Sequence, residues 1–149
     1  MQRTRIALVS LGSLKYPVDI ASLEKWPSEI MTIRHAASIG LLPNAAGDNW
    51  EYTKAQLSKI VQRDEQSEIT VALINAPLEN NYYMHRLGDN VAVLSLYEMA
   101  EIIRISHFTL EDYILRNLYE LLVLFAVEDY KGQTIRCIHG SEDVIFLNH

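Results

Sequence analysis

The sequence predicts an α/β layered domain, with a mixed, mostly parallel sheet of four to five strands packed with three to four helices. Three observations carry this expectation. Short apolar runs at Ile6–Leu11, Ile69–Ala76 and Val91–Leu94 read as buried strands, the first two ended by Gly12 and Pro77. Between them lie stretches whose apolar residues recur at helical spacing. A long, strongly apolar helix, LEDYILRNLYELLVLFAV at Leu110–Val127, follows the last of these strands.

Taken in order, IALVSL is the first strand, followed by a turn around Pro17. Val18–Trp26 reads as a short helix stopped by Pro27, and Ile30–Ile39 starts with strand character. Gly40–Asp48 (GLLPNAAGD) is a loop, with Asp48 or Asn49 as N-cap of a helix running to Arg63. Trp50, Leu57, Ile60 and Val61 form its apolar side. Ile69–Ala76 and Val91–Leu94 are strands joined by the polar turn LENNYYMHRLGDN, and the lack of a helix between them makes the sheet mixed. Tyr97–Arg104 reads as a helix boxed by Ser95 and Glu98, and Thr109 with Asp112 boxes the long one. Its core stripe is Ile114, Leu118, Leu121, Leu122 and Phe125, and Thr134–Ile138 and Val144–Leu147 are strand candidates beyond it.

At 149 residues the chain suits one domain, residues 1–149, able to bury its own core. With 49% hydrophobic and 21% charged residues it does not read as a disordered regulator. A net charge of −6, with no Lys/Arg cluster, argues against nucleic acid as a partner. No run is long enough to span a membrane. The single cysteine, Cys137, excludes an internal disulfide framework, so a reducing cytoplasm is expected. Isolated glycines and the lack of GxxxxGK[ST], GxGxxG or GxSxG disfavour nucleotide-dependent chemistry of the common kinds, and no cofactor is expected.

Several residues carry ligand or acid–base chemistry. His85, beside Arg86 and Asp89, is a cleft candidate if the turn lines a site, but Asn80, Asn81, Gly88 and Asp89 also explain a plain polar hairpin. His107 stands near Glu111 and Asp112, whose position at a helix start suits capping and the dipole. Cys137 and His139, near Glu142 and Asp143, are the densest metal-ligand cluster, yet no CxxC or HxxxH spacing completes four ligands. Glu120 is a carboxylate in an apolar helix, and Arg116 four residues earlier offers it an ordinary ion pair.

The order of elements resembles the zincin-type fold of archaemetzincin-like proteins. IALVSLG matches a first strand, and ITVALINAPLENNYYMHRLGDNVAVLSL matches the strand-rich half that leads into the helix carrying HExxH. The departure is at the ligands: only Glu120 falls on a family position, that of the general base, while Tyr119 and Val123 stand where two histidines would be. What the resemblance implies is a metal-free scaffold, and the type of family suggests one component of a multi-gene bacterial system.

The expected function is therefore non-catalytic, through contact with a protein partner or with a second copy of the chain. The long helix has more apolar surface than one small sheet face covers. Tyr82, Tyr83, Met84 and Arg86 are interface-type residues in the turn. The alternative is a small hydrolase or metal-dependent enzyme using His85, His107 and His139 with nearby carboxylates.

Overall fold

The structure, a computed structural model, describes residues 3–14, 17–103 and 105–131. Strands Thr4–Leu11 (β1), Met31–Ile39 (β2), Ile69–Ile74 (β3), Met84–Gly88 (β4) and Val91–Ser95 (β5) form one sheet. Their order is β2-β1-β3-β5-β4, parallel except for β4 at one edge. The helices are Ile20–Glu24 (α1), Lys54–Ile60 (α2), Met99–Ile103 (α3) and Leu110–Lys131 (α4). The predicted class, an α/β domain with a mixed, mostly parallel sheet, is the one observed.

β1 and β3 lie inside the sheet with helices over both faces, which is why they read as continuous apolar runs instead of alternating ones. On one face Ile6, Leu8, Val71, Leu73 and Leu94 pack with Leu23 of α1 and with Ile114, Leu118, Leu121 and Phe125 of α4. On the other, Val9, Leu11, Ala72, Ile74 and Val93 pack with Leu57. The two crossovers explain this division. From β1 the chain moves one way to β2, then back past β1 to β3, and right-handed crossovers running in opposite directions put their helices on opposite faces. At the end of β1, Gly12 turns the chain with φ +64, and a Cβ there would meet Leu42 Cδ1 at 3.0 Å.

Three elements differ from expectation, the first being α3, which starts only at Met99 because Ser95 ends β5 and Glu98 turns through φ +64, so the two do not box it. The polar turn contains a strand, β4, bounded by a 3₁₀ turn at Glu79–Asn81 and a tight hairpin at Asp89–Asn90. Its polar residues do supply turn geometry, since Asn80, Asn81 and Asn90 all have positive φ, but at two separate bends. Helix α2 starts later than predicted because Thr53 caps it, accepting from the Gln56 N–H at 3.0 Å. Trp50 is therefore on an exposed 3₁₀ turn with φ +64, and not on the apolar face of α2. The two strand candidates after Gly132 lie outside the described residues.

Candidate interaction cleft

The N-terminal half of α4 forms the floor of a cleft. Its start is locked by the predicted box: Asp112 Oδ2 accepts from the Thr109 N–H at 3.0 Å, and Thr109 Oγ1 accepts from the Asp112 N–H at 3.1 Å. The turn from α3 into this box is held by Ser106, whose hydroxyl donates to the Ile103 carbonyl (2.8 Å) and accepts from the Phe108 N–H (3.2 Å). Trp26, just past α1, closes the opposite side, its indole N–H donating to the Tyr119 hydroxyl at 3.0 Å. The hollow between them is about 570 Å³, lined by Trp26, Ile102, Ile103, Phe108, Leu115 and Tyr119, with Ser106, Asp112, Tyr113 and Arg116 adding polar atoms.

What sets this cleft apart is the apolar surface around it. Ile105 is 88% exposed, Phe108 69%, Ile102 57% and Trp26 42%. Exposed apolar side chains so placed carry a persistent hydration cost that a partner would remove, and aromatic anchors beside a hollow are the usual hot-spot chemistry.

The polar groups of the floor are mostly committed. Tyr113 donates to the Ser95 carbonyl at 3.2 Å, and burial, reinforced by the charges of Tyr83 and Glu120, pushes its pKa up. Arg116 meets Glu120 at 3.7 Å, the expected i,i+4 pair. Burial raises the Glu120 pKa against the opposing pull of Arg116, so the carboxylate is only partly compensated. Arg116 itself keeps 81% of its side chain exposed, and a pair that loose contributes only about 0.5 kcal/mol.

The other predicted site residues lie elsewhere. His85 is buried on β4, with Nε2 3.1 Å from the Glu79 carbonyl and its ring 5.0 Å from that of Tyr82. Met84 is fully buried on the same strand, and Tyr82 and Tyr83 pack partly buried against the core. Arg86 stacks 4.7 Å above the Phe125 ring. His107 is exposed beside the box at the start of α4, where Asp112 acts as a cap. Of the HExxH positions, Tyr119 bonds Trp26 and Val123 is exposed, with Glu120 between them turned to Arg116. Cys137 and His139 lie outside the described residues. Among the described residues no group of three or more His, Cys, Asp or Glu is placed to hold a metal ion.

One arrangement escaped sequence reasoning. His35 Nε2 lies 3.1 Å from Ser10 Oγ and 3.4 Å from Ser38 Oγ. The register of β1 and β2, which makes Ser10 and Ser38 partners next to a bulge at Leu8/Val9, brings them together. No spacing in the sequence signals it. A Ser–His pair is part of a hydrolase relay, which also needs a group orienting the ring and donors for an oxyanion. The carboxylate nearby, Glu24, accepts from the His35 backbone N–H at 3.0 Å and so anchors the strand.

Compared with known families, with curated proteins and with solved structures, the chain shows no match. No helix among the described residues is long and apolar enough to cross a membrane.

Proposed function

We propose that this protein acts through protein–protein contact, without catalysis of its own, and that the α3–α4 cleft is the contact face. The observation that carries this is the concentration of exposed Trp26, Ile102 and Phe108 around one hollow, with exposed Ile105 on the turn that follows Ile102. The polar groups at the cleft favour the same view. Asp112 caps a helix, Ser106 shapes a turn and Tyr113 is bonded to a backbone carbonyl, so none is poised as an acid, base or nucleophile. Zincin-like ancestry around Glu120 is not needed for this reading.

Photo-crosslinking in the producing cell tests it. A photoreactive residue in place of Ile105 is expected to give a covalent adduct with a polypeptide. The same residue in place of Leu41, equally exposed but in the loop after β2, is expected to give none. No adduct from position 105, or equal adducts from both positions, would end the proposal.

A further inference from the structure

We infer that the occupant of this face is a second copy of the chain, in a two-fold symmetric dimer; the inference rests on the cleft being a contact face. An isologous contact requires one surface to complement itself, so that every knob has its hole, and every cation its anion, on the same face. The cleft meets both requirements.

In shape, hollow and knob adjoin. Ile105, 88% exposed, sits on the turn after α3, its N–H donating to the Ile102 carbonyl at 3.4 Å, and the exposed Phe108 follows it at the edge of the hollow. A two-fold axis beside them lets each copy place its Ile105–Phe108 corner in the hollow of the other, covering two such corners at once.

In charge, the described lining includes the anion Asp112 and the cation Arg116. They stand four apart on α4 and so one above the other on a single helix face. A two-fold axis passing beside α4, at right angles to it and level with the midpoint between them, sets each opposite the other's counterpart. Each Arg116 then meets Asp112 of the second copy, twice per dimer. The same operation runs the two α4 helices antiparallel, which also opposes their dipoles favourably. Arg116 is free to swing because its pairing with Glu120 is loose and its side chain exposed.

Mass in solution, measured by sedimentation equilibrium over a range of concentrations, tests this on the full chain. The wild type is expected to dimerise reversibly. Arg116→Asp and Asp112→Arg, each alone, set like charges against each other twice and are expected to weaken association roughly tenfold or more. An equimolar mixture of the two variants restores both attractive pairs in the heterodimer, and is expected to regain wild-type association. Asp112→Arg also removes half of the helix box, so circular dichroism must show it folded. Should it not fold, Ile105→Asp, outside the helix, must abolish the dimer. A wild type that stays monomeric at every concentration would overturn the inference. So would single variants that associate normally, or a mixture no tighter than its components. A crosslink from position 105 whose mass exceeds that of the chain by anything other than a second copy would also overturn it, while leaving the contact face standing.

Discussion

Leu118→Ala is expected to lower the free energy of unfolding by about 2–5 kcal/mol, measured by urea denaturation. Leu118 is fully buried on the face of α4 that packs on the sheet, among Ile114, Leu121, Phe125 and the strand residues Leu8, Val71 and Leu94. Loss of its Cγ and two methyl groups would leave a void walled by strands on one side and by its own helix on the other. Neither wall can move in without disturbing the other packed layer, so the upper part of that range applies. A loss below about 1 kcal/mol would mean that α4 does not seat on this sheet face.

Met84→Asp is expected to prevent stable folding, seen as loss of soluble yield and of a cooperative thermal transition. Met84 is fully buried on β4 and pairs with Leu94 across the β4–β5 ladder. An ionised carboxylate there would be shut away from water with no cation partner built for it. A cost of several kcal/mol, about 3–5 when a buried charge is left uncompensated, is comparable with the whole stability of a small domain. If the segment were the solvated turn that its composition suggests, the same substitution would cost almost nothing. A cooperative melt within a few degrees of the wild type would therefore remove β4 from the sheet.

This contrast shows what the amino-acid sequence reveals and what it hides. β1, β3 and β5 are legible because strands covered on both faces must be apolar throughout, and α4 because its apolar stripe runs for several turns behind a capping box. β4 is hidden because it is an edge strand between two asparagine-rich bends, with His85 and Arg86 adding polar character that only tertiary contacts explain. Trp50 misleads for a related reason: it falls at helical spacing, yet the backbone at Asn49–Trp50 turns through positive φ before Thr53 starts the helix. The cleft is less legible still. Trp26 and Tyr119, which close one side, are 93 residues apart. Ile105 and Phe108 belong to a short connection whose exposure no periodicity encodes. The surface expected at Tyr82, Tyr83, Met84 and Arg86 rests on residue type, which does not tell that Met84 is buried while Tyr82 and Tyr83 are only partly so.

The most direct test of the contact face is oxidative footprinting of Trp26 and Phe108, read by mass spectrometry. The dilute purified chain and the same chain inside its native cells would be compared, with Trp50, 81% exposed on the 3₁₀ turn before α2, as the reference. The account predicts strong labelling of all three side chains in the dilute chain. In cells, Trp26 and Phe108 should be protected severalfold while Trp50 stays reactive. Equal labelling of Trp26 and Phe108 in both settings would show that nothing covers the cleft, and would contradict the account.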